Sequence, residues 1–449
     1  MSTSRSSSLT VAALGCGLLA AASLTIVPTA PGYDAWSWLI WGREVVSLDL
    51  STADGPAFKP LPVAVCGVFA LFGDAAPALW VWFARGAALL GVTLAAVLAW
   101  QLAGGSRLAG VAAGAGVAFA GGYLGFAAAG GSEGLLVALA LLSVLSARNG
   151  SPRAAMLCGV GCGLLRVETW PFLIVGAVVA WRRRAVDPRL LSSAFALVAV
   201  LWFVPEWLAS GDPLRSASRA RIPNPGQPAL SDLPAFASLS EAISLVVLPL
   251  VVGVAGLLLA TRPHRRVPCL LAAAGGVWIA LVAAMSQAGF SGEARYSLPG
   301  VALLCVAGGV GLAEAARRAG SPRSRRAVAT LLGSTVALFA VPSAATLPAE
   351  RAGLSYRARL AEDLRSAVQA TGGPRGVLEC GRPYVGHLRG PLLAWHLRVQ
   401  KREIGFTPRP PGVLFRSRLA NRDSLTPAAD PDFSQAVINR TWRVGMACT

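Results

Sequence analysis

The sequence predicts an all-α polytopic membrane protein of about eleven membrane segments followed by a small extracytoplasmic α/β domain. Three observations predict it. Hydrophobic residues make up 54% of the 449 residues and charged ones only 14%, with a mean hydropathy of +0.58. The apolar residues come in blocks near the roughly 20 residues that cross a bilayer. Arginines crowd the short connectors between blocks, at Arg182 to Arg184, Arg262 with Arg265 and Arg266, and Arg317 to Arg326, as in cytoplasmic loops. The formal charge of +18 is thereby explained, and no nucleic-acid partner is needed for it. Membrane lipids are the expected surroundings.

Taken in order, Arg5 precedes the apolar run from Leu9 to Val27, which sets the N-terminus in the cytoplasm and residues 31–62 outside. Residues 61–73 (LPVAVCGVFALFG) are too short to span and read as a helix at the interface. Spans follow at 77–103, 108–129 and 133–146. A single crossing by residues 154–181 would put Arg182, Arg183 and Arg184 outside, so this segment reads as two half-spans broken at LLRVETWP by Pro171. A span at 190–208, an outer loop at 209–240, spans at 241–261 and 267–288, and an outer turn at 289–295 come next. A span ending near Glu314, a basic link and a last span at 327–346 complete a transmembrane domain of residues 1–346. Residues 347–449 then form the extracytoplasmic domain, which mixes a helical stretch, LSYRARLAEDLRSAVQAT, with Gly- and Pro-punctuated segments. In that tail Cys380 and Cys448 stand alone and are natural disulfide partners if it lies outside the cytoplasm.

On this topology Asp34, Glu133, Glu168, Glu206, Asp212 and Glu293 all fall at the outer membrane face. A charge at the bilayer centre costs about 2.5 to 3.5 kcal/mol, which pushes any one of them to a span end. It explains less well why they keep company with Trp, Arg and Tyr. Asp34 opens a stretch in which Trp38 and Trp41 share its face, either capping an interfacial aromatic helix or serving as a base toward an acceptor hydroxyl. Lys59, one of two lysines beside Lys401, is a snorkelling anchor or a phosphate partner. Arg166 with Glu168, and Arg295 with Glu293 and Tyr296, are local ion pairs or phosphate-binding groups. Arg215, Arg219 and Arg221 attract phosphate and anionic head groups alike. The chain has no G-x-x-x-x-G-K-[ST], H-E-x-x-H or C-x-x-C, and His264, His387 and His396 are scattered, so no nucleotide-driven pump and no His-based metal site is expected.

The ordered set of motifs resembles the GT-C superfamily of integral-membrane glycosyltransferases. YDAWSWLIWGREV resembles the acidic first loop, FKPLP its proline-bearing continuation, GSEGLLVALALLS the Ser-Glu helix start and LLRVETWPFLIV the Arg-x-Glu turn. EWLASGDPLRSASRAR resembles a Gly-Asp-x-Leu-Pro loop, with Arg215 where proline is expected, and GEARYSLPG an Arg-Tyr-x-x-Pro helix start, as in arabinosyl- and mannosyltransferase-like members. The resemblance implies an inverting transfer of a sugar (hexosyl or pentosyl) from a polyprenyl-phosphate donor to an extracytoplasmic glycan, lipid or protein in cell-envelope synthesis. Asp34 would be the catalytic base. Lys59, Trp38, Glu133, Arg166, Glu168, Arg295 and Tyr296 would bind substrate. A divalent cation, Mg or Mn, serves some members, but with one first-loop acid here (Asp34 is followed by Ala35) no metal ligand is assigned. The expected place is the cytoplasmic (inner) membrane. The competing readings are a transporter or flippase for a lipid-linked substrate, which would show inverted repeats and mid-membrane charges, and a non-catalytic envelope-assembly scaffold.

Overall fold

The computed structural model describes residues 2–259, 262–318, 321–419 and 424–448. Helix α1 (Ser2–Ile26) is followed by α2 (Tyr33–Val46) and α3 (Pro60–Ala70), then by α4 (Ala76–Leu102), α5 (Arg107–Ala118), α6 (Tyr123–Ala128) and α7 (Glu133–Arg148). Next come α8 (Pro152–Gly163), α9 (Trp170–Arg182), α10 (Pro188–Ser210), the short α11 (Arg215–Ala220), α12 (Pro234–Leu259), α13 (Arg262–Gln287) and α14 (Leu298–Arg318). One continuous helix, α15 (Pro322–Ala370), leads into α16 (Gly373–Cys380) and α17 (Gly390–Leu397).

The helix ends follow local chemistry. Asp187 caps α10 by accepting from the Arg189 backbone N–H at 2.7 Å, Pro188 fills the first turn, and Gly211 ends the helix at φ 77°. Among the described residues, five segments have the length and apolarity to cross a membrane: Leu9–Ile26, Gly73–Leu102, Pro188–Ser210, Arg265–Gln287 and Ala294–Arg318. The protein is a multi-pass membrane protein. Its central helix is α14, buried on every side from Leu298 to Glu314 and packed against α5, α12 and α13.

Three expectations change in detail. The span expected at 108–129 is two short helices, α5 and α6, parted at residues 119–122. The break inside 154–181 falls at residues 164–166, and Pro171 sits in the first turn of α9, where its missing N–H costs nothing. With 12 and 13 residues, α8 and α9 are about 18 and 20 Å long, the half-spans that the charge pattern required. No break occurs at residue 346, because α15 runs through it.

The C-terminal residues fold as a mixed sheet backed by α15 and α16. β1 (Arg382–Val385) pairs in parallel with β2 (Gly412–Arg418), with α17 in the crossover between them; β5 (Trp442–Ala447) pairs antiparallel with β2 and then β4 (Ser434–Ile438), while β3 (Leu425–Thr426) adds to β2. Cys380, at the end of α16, is bonded to Cys448, just after β5.

This module shares one core with the loop after α1. Trp36 of α2 lies 5.9 Å from the Trp395 ring, Arg43 donates to the Trp395 and Val399 carbonyls, and Gln400 donates to the Asp49 carbonyl. On its other side α2 packs Trp38 edge-on against Trp80 of α4, at 5.4 Å. The tryptophans therefore do not form an interfacial aromatic face, one of the two readings of this stretch. Trp38 and Trp41 are 1% exposed and serve as the core of the loop. Packing is close enough that a Cβ on Gly42 would sit 2.5 Å from the Cys66 backbone carbon, so only glycine lets α2 meet α3.

Candidate active site

Several helix starts converge at the junction of the first loop with the helical layer. Gly32 caps α2 and donates its N–H to the Ala129 carbonyl, at 2.8 Å, which pins Asp34, in the first turn, beside the start of α7. Trp80 donates to the Gly130 carbonyl from below. The turn before α7 demands glycine: Gly130 has φ 73°, and a Cβ on Gly131 would lie 2.5 Å from Glu133 Oε2. Lys59 is the extended residue that caps α3. Arg166 is the extended residue between α8 and the turn Val167–Thr169. Glu293, Arg295 and Tyr296 occupy the turn that opens α14. The positive ends of these helices all face one place, which favours an anion there.

Arg295 organises the cluster. Its guanidinium lies 3.5 Å from Asp34 Oδ2, 3.7 Å from Glu133 Oε1 and 2.6 Å from Glu293 Oε2, and it donates to the Tyr296 hydroxyl at 3.3 Å. Arg166 stands behind, 3.6 Å from Glu133 and 3.1 Å from Glu168, with its guanidinium stacked 3.7 Å over the Tyr296 ring. The Lys59 ammonium is 3.5 Å from Ser132 Oγ and 5.0 Å over the Trp38 ring. Burial, helped by the Arg166 charge, pushes Lys59 down to about 8 from the usual lysine value, against the opposing pull of Asp34 and Glu133. Among the described residues, the buried Trp38 Nε1 and Glu133 Oε2 of this corner have no partner. Unpaired buried groups of this kind are costly unless a ligand meets them.

A cleft of about 530 Å³, within the range of small-molecule sites, opens onto this cluster. Asp34, Trp38, Glu133, Glu293 and Arg295 line it, whereas Lys59, Arg166, Glu168 and Tyr296 stand behind that lining and join it through the contacts above. Tyr33, Gln227, Glu241 and Arg357 also line the cleft, and nothing in their sequence surroundings marks them out. Gln227 donates to Glu293 Oε1 at 3.0 Å and so fixes the far side of the Arg295 pair. Tyr33 is pushed up to about 12, chiefly by burial.

Arg215, the departure from the expected proline, has a structural task. It donates to the Gly55 and Pro56 carbonyls at 3.0 and 2.9 Å and lies 3.8 Å from Glu206, whose side chain is fully buried. Ser216 Oγ accepts from the Phe58 N–H at 2.7 Å. The loop after α10 thus grips the strand of chain that carries Lys59. Asp212 is outside the cluster and caps Leu214. Lys401, the other lysine, is 4% exposed and lies with its ammonium 5.0 Å over Phe406, where burial brings it down to about 8.

No family model and no curated protein sequence matches the chain. Solved structures do. The crystal structure of ArnT from Cupriavidus metallidurans bound to undecaprenyl phosphate superposes with a TM-score of 0.57 at 15% identity, over 99% of this chain and 98% of that one. The apo ArnT structure gives 0.54 at 16% identity over the same shares. The protein has the GT-C fold. At these identities the likeness speaks for architecture rather than substrate. The GT-C fold seen here gathers Asp34, Lys59, Glu133, Arg166 and Arg295 on one side of the helical layer, next to the mixed α/β module.

The residues present do not suit a divalent cation. Among the described residues no three His, Cys, Asp or Glu side chains gather as ligands, and Asp34, Glu133 and Glu293 at the cleft face a guanidinium instead.

Proposed function

We propose that the protein is an inverting glycosyltransferase that takes a sugar from a polyprenyl-phosphate donor at the outer face of the cytoplasmic membrane. The observation that carries this reading is the cleft in which a carboxylate, Asp34, shares one guanidinium with a second acid and is backed by Lys59 and Arg166. The ArnT neighbour with undecaprenyl phosphate bound supports a polyprenyl-phosphate ligand for the same architecture. The cysteine pair in the C-terminal module supports an oxidising, extracytoplasmic location for it.

In the proposed mechanism the lipid phosphate of the donor binds Arg295, with Lys59 and Arg166 adding positive charge behind it. Competition for the Arg295 guanidinium loosens Asp34, which then accepts the proton of the acceptor hydroxyl. The acceptor oxygen forms its bond to the anomeric carbon while the bond from that carbon to the phosphate oxygen breaks. Polyprenyl phosphate leaves with the electron pair, and the configuration inverts. Trp38, buried at the base of the cleft, supports the sugar site and holds the Lys59 ammonium over its ring. Glu133 and Glu168 hold the two arginines in place. Hexosyl and pentosyl donors both suit a cleft of this size.

The test uses the full chain in nanodiscs with a panel of radiolabelled polyprenyl-phosphate sugars and cell-envelope acceptors. Transfer from one donor, with an inverted product, is expected. Absence of both transfer and binding for every donor would overturn the reading.

A further inference from the structure

One cation at the cleft has no ion-pair partner among the described residues. Arg357, on α15, lines the same cleft as Asp34, yet among the described residues it makes no hydrogen bond or ion pair. The acids that line the cleft have other partners: Asp34 and Glu133 face Arg295, Glu293 takes Arg295 and Gln227, and Glu241 accepts the Ala294 N–H at 3.1 Å. Arg389 is a basic neighbour of Arg357. Tyr356 and Arg389 both donate to the Arg418 carbonyl, at 2.8 and 3.3 Å, and the Arg389 Nε is buried with no partner. Arg389 feels the Arg357 charge, and burial lowers both guanidinium groups from the usual arginine value.

A half-buried guanidinium with no ion pair among the described residues is desolvated with nothing in return, unless a ligand supplies the anion. The planar fork of arginine matches a phosphate or carboxylate. In the reading above, the donor phosphate is already met at the other wall by Arg295, Lys59 and Arg166. The remaining reactant is the acceptor. We propose that Arg357, seconded by Arg389, binds an anionic group (a phosphate or a carboxylate) on the acceptor, so that the acceptor is an acidic glycan or glycolipid. This rests on the glycosyltransferase reading and names the acceptor class for it. It also gives the C-terminal module a direct part in the site, since α15 carries Arg357 and the segment after β1 carries Arg389.

The experiment titrates decyl phosphate and decyl glucuronide, with decyl glucoside as the neutral control, into the full-length protein in phosphatidylcholine nanodiscs, followed by calorimetry. Wild type, Arg357→Gln, Arg357→Lys and Lys59→Gln are compared. Two classes of decyl phosphate site are expected. Arg357→Gln weakens one of them by about tenfold or more, Arg357→Lys restores part of the loss, and Lys59→Gln weakens only the other. Retention of the second class in Arg357→Gln shows that this variant is folded.

If Arg357→Gln keeps both classes while Lys59→Gln loses one, the acceptor proposal fails and the donor reading stands. A single class lost only in Arg357→Gln would support the acceptor site and count against donor phosphate at Lys59. Equal binding of decyl glucoside at the Arg357-dependent class would overturn an anionic acceptor. So would loss of that class in discs doped with phosphatidylglycerol, because Arg357 would then be a contact for bulk lipid head groups.

Discussion

Replacing Asp34 by Asn keeps the shape of the side chain and removes its charge and basicity. The pair with Arg295, at 3.5 Å, has a gross Coulomb energy of about 5 kcal/mol at an effective dielectric of about 20. Both side chains are about a quarter exposed, and Arg295 keeps Glu293 at 2.6 Å and Glu133 at 3.7 Å. Screening and these remaining partners bring the net cost of losing the charge to about 1 kcal/mol. In a chain of this length that shifts the unfolding midpoint by about 2 °C or less. The catalytic effect is far larger. Loss of a general base lowers turnover by about 10² to 10⁴, or roughly 3 to 5 kcal/mol in the barrier. The assay is single-turnover transfer in nanodiscs from whichever polyprenyl-phosphate sugar the wild type uses, alongside thermal unfolding of the same preparations. The expected result is a collapse of the transfer rate with an unchanged fold and donor affinity within a few-fold. Transfer by Asp34→Asn at more than about a tenth of the wild-type rate would refute the base assignment, since no general base of that weight could then reside at Asp34. A fall in donor affinity with unchanged turnover would make Asp34 a binding group instead.

Lys59 is held near 8, against 10.5 for a free lysine, so donor binding should weaken as pH rises through about 8, and Lys59→Arg should flatten that dependence in a pH series of donor affinities. The stability effect has the opposite sense: the unfolded chain binds the extra proton between about 8 and 10.5, so the burial penalty of Lys59 is present in full below 8 and lifts across that window. Arg215→Ala leaves Glu206 buried without its cation and frees the Gly55 and Pro56 carbonyls, which should cost about 3 kcal/mol or more and lower donor affinity through Lys59, as read by thermal unfolding and donor titration. Cys380→Ser opens a cross-link between positions 68 residues apart, worth about 4 kcal/mol by chain entropy, and hydrogen exchange should rise in the C-terminal sheet while the helices stay protected. In intact cells a membrane-impermeant maleimide should label Cys448 in that variant; labelling only after lysis would put the module in the cytoplasm. Gly42→Ala should part α2 from α3 and cost about 1 to 3 kcal/mol, seen as a lower unfolding midpoint.

Local pattern carried much of this protein. Hydropathy blocks located the long helices, and the Arg-rich connectors forced the break between α8 and α9, because the run Arg182 to Arg184 on the wrong side was the costlier alternative. The break itself falls a few residues before Pro171, since proline is comfortable in a first turn and the extended Arg166 is what ends the helix. The pairs Arg166 with Glu168 and Arg295 with Glu293 were legible because their members are two residues apart.

What the sequence by itself determined is the membrane class, the order of the polar motifs and the chemistry each one carries, since all three are written in short windows of residues. Only the tertiary structure decided which motifs meet. It set Arg295 between Asp34 and Glu133, turned Trp36, Trp38 and Trp41 inward under the C-terminal module, used Arg215 on the Gly55 and Pro56 carbonyls, and left Arg357 in the cleft wall with no ion pair among the described residues. The physical reason is that an ion pair or a buried ring depends on which helix ends pack together. Arg357, in LSYRARL, differs from the other arginines around it only in the wall that α15 presents to the cleft.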